Sequence, residues 1–360
     1  MKSNKLQLLA VITLVALLAA FYMSKHRAPT TSLETQTLFP GLLEQVNEIK
    51  AIELAKHDRQ LNLAEVGKTW VISDADNYPA DFGRIKSTLL ELAELEILAE
   101  KTSNPERYER LGVEDPLNDG ATSLLLSVKN EAGDTLASLI VGNTRHSKAA
   151  QDRAGLYVRL PEQEQALLVE GKLDVSANVA DWFTRELFSI ESARIKQVEI
   201  THKDGSSVVL SREQDIDELT LINIPEGREA QSEVIITRMG TILEDVFVDS
   251  VIKADKLDAA EQTLAQVETF DGLQVNITSA QLEETSYSSF EFAAKPGASA
   301  GENSEGEDSE PGPAEVAADL NQRLQGWAFA IPDFKFELFT RDLDSLTKAI
   351  EAKETEAGTE

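Results

Sequence analysis

The chain has 360 residues, no cysteine, 42% apolar content, and 63 acidic residues against 34 basic ones, a net charge of −29. Apolar content of this size fills real cores, and the length suits two domains, so disorder is excluded as a description of the whole. The missing cysteines exclude disulfides, thiolate metal sites, cysteine nucleophiles and a lipidated anchoring cysteine, and the acidic surface argues against a nucleic-acid partner.

The first 27 residues have their own physics. Leu6–Met23, LQLLAVITLVALLAAFYM, contains only Gln7 and Thr13 as polar residues. As a helix it spans roughly 27 Å, close to the hydrocarbon thickness of a bilayer. Cleavage after Ala20 would put Leu18 at the −3 position, a poor signal-peptidase site, so a retained anchor is favoured. Lys2 and Lys5 before the segment balance Lys25 and Arg27 after it, so charge alone leaves the orientation tied. These flanks hold four of the basic residues and no acid, which leaves the remainder still more acidic and ill suited to lie on an anionic bilayer. Residues 28–39 form a tether.

Strand-like alternation follows. EIKAIELA (48–55) and LNLAEVGKTWVIS (61–73) flank the turn KHDRQ. NYPAD (77–81) breaks the sheet, and Asp81 is placed to cap a helix running from Phe82 to about Glu100. On that helix Ile85, Leu89 and Leu92 follow i, i+4, i+7 and mark a buried stripe.

From Arg194 the pattern starts again. RIKQVEIT alternates, HKDGS is a hairpin turn whose Asp204-Gly205 tolerates positive φ, VVLS and LTLINI read as strands, and PEGREAQSE breaks the sheet. A helix near residues 231–247 carries Ile235, Met239 and Ile242. GLYVRLPE (155–162) matches GWAFAIPD (326–333), and each half closes on related octets, FTRELFSI (183–190) and FTRDLDSL (339–346). With Ile49 matching Ile195 and Ile85 matching Ile235, four matches in the same order predict two tandem copies, residues 40–191 and 192–348, an internal duplication and not a solenoid. Hairpin-length turns make the sheets mainly antiparallel. The fold class is therefore α+β, two copies of an antiparallel module with a packing helix behind an N-terminal transmembrane helix. Residues 295–315, rich in Gly, Ser, Pro and Glu, interrupt the second copy and read as a disordered insertion, and residues 349–360 as a disordered tail.

Motifs for chemistry are thin. The stretch 74–85 resembles a calcium loop but carries Tyr78, Pro79 and Ile85 where the loop needs an oxygen ligand, a glycine and a bidentate acid. His57 and His202 fall at matching hairpin tips, which suits a turn better than a metal. Ser206 and Ser207 lack a nucleophile-elbow context, and no phosphate-binding glycine motif occurs. Arg185 and Arg341 recur beside an acid in the octets and read as ion pairs at a helix start. Trp70, Trp182 and Trp327 lie in apolar runs and read as core. No catalytic, cofactor-binding or metal residue is assigned, and no cofactor is expected.

WVI at 70–72, YPAD at 78–81, RYERLGVEDP at 107–116, GLYVRL and DWFTRELFSI, in this order, resemble the bacterial domain-of-unknown-function family 4340. The resemblance covers most of residues 45–350; the acidic insertion departs from it. It implies a membrane-anchored extracytoplasmic protein, similar in some members to the auxiliary component of a gliding-motility-associated ABC transport system. The expectation is a single-pass protein of the bacterial inner membrane, held through residues 6–23 with its bulk in the periplasm. It would be non-enzymatic and dock on transporter subunits through free sheet edges. The rival reading is an envelope-polymer-binding protein or hydrolase, with acids and tryptophans converging in a groove between the modules.

Overall fold

The computed structural model describes residues 36–145, 155–258, 261–297 and 311–350. The apolar segment 6–23, most of the insertion and the tail beyond Ile350 lie outside the described residues. Among the described residues no helix is long and apolar enough to cross a membrane.

After the short helix α1 (Leu42–Gln45), the first half builds β1 (Ile49–Lys56), β2 (Arg59–Val66), β3 (Thr69–Ile72) and β4 (Tyr78–Pro79). Helix α2 (Phe82–Ala93) follows, then β5 (Glu96–Glu100), β6 (Leu124–Asn130), β7 (Thr135–Arg145), β8 (Gly155–Arg159) and β9 (Ala166–Glu170). The nine strands form one antiparallel sheet in the order β4-β3-β2-β1-β6-β7-β8-β9-β5. In the β1–β2 hairpin, Ile52 pairs with Leu63 and Leu54 with Leu61, so the alternation read in the sequence puts four apolar side chains on one buried face.

Helix α2 starts where its chemistry demands. The Asp81 carboxylate accepts from the N–H groups of Gly83 (2.8 Å) and Arg84 (3.2 Å). Ile85, Leu89 and Leu92 are 1%, 6% and 1% exposed, the buried stripe the spacing predicts. The helix does not run on to Glu100. It ends at Ala93, and residues 96–100 leave as β5 to pair with β9. Helix propensity in LEILAE loses to ladder pairing, a tertiary override of a weak local preference. The tether also reaches the sheet. Ile97 donates to the Gln36 carbonyl (2.9 Å) and Leu38 to that of Leu95 (2.7 Å), so residues assigned to the tether cover the β5 edge.

The second half adds β10 (Glu186–Phe188), β11 (Ile195–Thr201), β12 (Ser207–Ser211), β13 (Thr220–Leu221), β14 (Arg228–Ala230), α3 (Glu233–Arg238), β15 (Val246–Phe247) and β16 (Val251–Lys253). Then come β17 (Thr263–Thr269), β18 (Leu273–Leu282), β19 (Thr285–Ala294), α4 (Pro313–Leu324), β20 (Trp327–Ala330), α5 (Asp333–Phe339), α6 (Leu343–Leu346) and β21 (Thr347–Ala349). Eight strands form the antiparallel sheet β13-β12-β11-β17-β18-β19-β20-β16, and β10-β15 and β14-β21 form two small ones. The expected helix over 231–247 is shorter: α3 ends at Arg238, a 3-10 turn follows, and 246–247 are strand. Its buried stripe uses Ile236, Met239 and Ile242, with Ile235 only partly buried. Residues 313–315, placed in the disordered insertion, form the first turn of α4.

The two large sheets share a strand order. β3-β2-β1-β6-β7-β8-β9-β5 corresponds one for one with β13-β12-β11-β17-β18-β19-β20-β16, each in the same chain order. Details repeat too. The register with the inner neighbour slips after Ile49 and after Ile195, so Lys50 and Lys196 sit on equivalent bulges. Two residues past the last edge pair, Asp74 accepts from the Asn62 N–H and Asn223 from the Val209 N–H (2.5 and 2.9 Å), each side chain extending the ladder. The match between GLYVRLPE and GWAFAIPD does not survive: the place of β8 is held by β19, and that of β20 by β9. Short apolar alternations occur in every strand and do not identify which strand is which.

The octets also part company. FTRELFSI yields β10, paired with β15, whereas FTRDLDSL yields α6, capped by Asp342 accepting from the Ser345 N–H (2.8 Å). What they share is burial: Phe183, Ile190, Phe339 and Leu346 are all within the core. That core is continuous from Leu38 to Leu346. Tyr78 of the first unit stands edge-on to Trp327 and Phe329 of the second (centroids 4.9 and 5.8 Å), and behind them, within the second half, Phe188 stands edge-on to Phe290 and Phe292 (5.2 Å each). Asp76 accepts from the Lys253 N–H (3.1 Å) and Lys256 Nζ (2.7 Å). The two units are fused, with their junction packed by aromatic rings.

Candidate functional site: an amphipathic cleft beside the first helix

The 3-10 turn Val46–Glu48, strands β1 to β3 and helix α2 enclose an open cleft of about 520 Å³. Ile49, Trp70, Ile85 and Leu89 make its floor, and each is at most 6% exposed. Phe82, on the first turn of α2, is 63% exposed at the mouth. Around it stand Lys50, Lys68, Lys86 and one acid, Glu65.

Local structure explains each position. Lys50 rides the β1 bulge and its Nζ lies 2.5 Å from Glu65 Oε2. Lys68 is half of the two-residue turn between β2 and β3, entered through Gly67 at φ 68°, where a side chain would be strained. Lys86 lies on α2. Lys68 and Lys86 are exposed and make no ion pair with a described residue. Three lysines against one carboxylate is the reverse of a chain in which acids outnumber bases 63 to 34.

In the second unit the corresponding space is closed. The link between β12 and β13 covers residues 212–219 where the first unit has only Gly67-Lys68. Arg212 holds it down, donating to the carbonyls of Ile195 (2.6 Å), Asp217 (3.0 Å) and Ser192. Leu219 is 6% exposed beneath it. Counted from the N-caps Asp81 and Ser232, Gly240 holds the place of Leu89. A Cβ there would lie 2.9 Å from Ser192 Oγ and 3.4 Å from a Leu219 methyl, so the missing side chain lets the turn close on the helix.

The residues singled out in the sequence take structural places. Asp74 extends the sheet edge, Asp76 bonds the second unit and Asp81 caps α2, so the acids of the calcium-like stretch are each engaged separately. His57 and His202 are at hairpin tips; a His202 ring nitrogen lies 3.3 Å from the Arg341 carbonyl. His26 and His146 lie outside the described residues. Among the described residues no group of three or more His, Asp or Glu is placed to hold a metal ion. Asp204 accepts from the Ser206 N–H and hydroxyl (2.8 and 2.6 Å), tying that serine into its turn. Arg185 and Arg341 do not pair with the adjacent octet acids: Arg185 reaches Asp249, and Arg341 meets Glu337 (3.2 Å) one helical turn back. Trp182 is core, its Nε1 donating to the Ser176 carbonyl (2.8 Å). Trp70 is buried under the cleft, and Trp327 is half-buried with Lys253 Nζ 3.5 Å from its ring centre.

RYERLGVEDP packs on the sheet beside β7 and β8. The Tyr108 hydroxyl donates to the Glu164 carbonyl (2.5 Å). The Arg159 guanidinium lies 4.7 Å from the Tyr108 ring and donates to the Val113 carbonyl (2.9 Å). Gly142 on β7 permits the approach, since a Cβ there would sit 2.5 Å from the Leu111 carbonyl. Burial acts to raise the Glu114 carboxyl, but hydrogen bonds from its own N–H, from Thr122 and from Ser123 together outweigh it and hold it below its ordinary range.

Fold and cleft together define an antiparallel α+β protein with a repeated strand order and an amphipathic opening beside α2. The family model described as Domain of unknown function (DUF4340) matches residues 70–269, more than half the chain, and the chain belongs to that family. No curated protein and no solved structure matches it.

The cleft is not evident from motifs or periodicity in the sequence. Its signal was present in EIK (48–50), GKTW (67–70) and FGRIK (82–86), each placing a lysine beside buried apolar residues in an acidic chain.

Proposed function

We propose that this protein is an extracytoplasmic accessory protein, tethered to the bacterial inner membrane through residues 6–23, that docks on an integral-membrane partner as an auxiliary component of an ABC-type transport system. The apolar N-terminal segment and the resemblance of some family members to such components support the address and the partner class. The cleft carries the docking: it has a largely apolar floor, an exposed aromatic at its mouth and charge opposite to that of the chain as a whole. Sheet edges, the expected route, are poor candidates. β4 and β13 have two residues each, residues 36–38 cover β5, and the Lys253 N–H of β16 is taken by Asp76.

The test uses the absence of native cysteine. Lys68→Cys and Leu117→Cys, both at exposed positions, are labelled with a photo-crosslinker on full-length protein in intact membranes. Integral-membrane subunits crosslinked from position 68 and not from position 117 support docking through the cleft. Recovery of no membrane protein from either position defeats the proposal.

A further inference from the structure

We infer that the cleft takes a short acidic peptide segment of the partner, one large apolar side chain seated on the floor and flanking carboxylates held by Lys50, Lys68 and Lys86. This rests on the docking reading above and adds the chemistry of the occupant.

The lining decides between classes of ligand. Ile49, Trp70, Ile85 and Leu89 are already at least nine-tenths buried, so the floor has little apolar area left to give. At about 25 cal/mol per Å² that area rewards a side chain and not a long acyl tail. Phe82, 63% exposed, adds an apolar wall at the mouth that a neighbouring peptide residue can cover. The rim calls for anions. Lys68 and Lys86 have no ion-pair partner among the described residues, and Lys50 has one in Glu65. The net charge of −29 does not repel such a peptide from the rim, because at physiological salt charges beyond about 8 Å are largely screened while the rim lysines lie within contact range. Lysine ammonium groups on long stems adapt to carboxylates at variable spacing, which suits a segment with several acids more than one fixed anion.

The experiment measures fluorescence anisotropy of a labelled peptide, Trp-Leu between paired glutamates, with the full-length chain in detergent micelles. A second peptide has lysines for the glutamates, and sodium oleate serves as competitor. The acidic peptide is expected to bind at least about 10-fold tighter than the basic one and to weaken as salt rises. The double variant Lys68→Glu, Lys86→Glu should reverse that preference; both positions are exposed, and an unchanged melting temperature verifies the fold. Equal affinity for the two peptides, or an acidic-peptide affinity unmoved by the double variant, overturns the assignment. So does displacement of the acidic peptide and the basic peptide by oleate with equal ease. If the peptides fail while position 68 still crosslinks a membrane subunit, the occupant's chemistry is wrong and docking stands.

Discussion

The two units share a strand order, a bulge carrying lysine and an edge sealed by one side chain, yet one has an open cleft and the other a closed wall. Two local differences account for it. A two-residue turn between β2 and β3 leaves the first helix uncovered, whereas residues 212–219 fold over the second; and Leu89 keeps helix and turn apart where Gly240 lets them meet. The second unit adds α4 against β19, where Asn321 bonds both backbone groups of Phe292 (2.9 and 2.7 Å).

That contrast can be broken most severely from beneath. Leu92→Asp buries an unpaired carboxylate under α2 and is expected to cost about 3–5 kcal/mol in urea unfolding. Leu89→Asp is expected to cost less, because position 89 faces the cleft and its lysines. Equal losses at the two positions would show that the cleft is not open to that side chain.

Opening the closed unit comes next. Arg212→Ala removes the bonds that hold residues 212–219 and leaves the carbonyls of Ile195 and Ser192 without that donor, for an expected loss of about 2–3 kcal/mol. Hydrogen exchange should quicken in that loop and not in β17 or β18. Protection that stays as before would mean the loop is held by other contacts. Gly240→Ala acts on the same closure from the helix side. Its Cβ must displace Ser192 or Leu219, at a cost of about 1–3 kcal/mol. A Gly240→Ala protein as stable as its parent would remove the close approach from the account.

The smallest effect concerns the junction. The hydrogen bond from Lys256, then that from the Lys253 N–H, hold the Asp76 carboxyl below its ordinary value of 3.8. A carboxyl lowered in the folded state contributes its stability in full above that ordinary value and loses it as pH falls through the lowered one. The contribution is at most about 1 kcal/mol, the scale of a solvent-screened pair. Asp76→Asn should therefore narrow the stability gap to the parent protein as the medium is acidified below the ordinary carboxylate range. A gap that stays constant through that range would rule out the pair.

Much of this was decided locally and could be read without the fold. Asp81 starts a helix because its carboxylate meets N–H groups two and three residues on, and the β1–β2 hairpin follows from alternation across a tight turn. The buried stripe of α2 follows from 3.6-residue periodicity alone. Where α2 ends was not local: β5 exists because β9 is there to pair with it. Nor was the meaning of the octets, whose buried residues repeat while one becomes a strand paired with β15 and the other a helix capped by Asp342. The cleft lies furthest from the sequence. Ile49, Lys68, Trp70, Lys86 and Leu89 belong to four separate elements, and only the packing of α2 across the sheet brings them to one opening. Whether that opening stays open depends on the volume at a single helix position and on the length of one turn, quantities that acquire consequences only when two elements are pressed together.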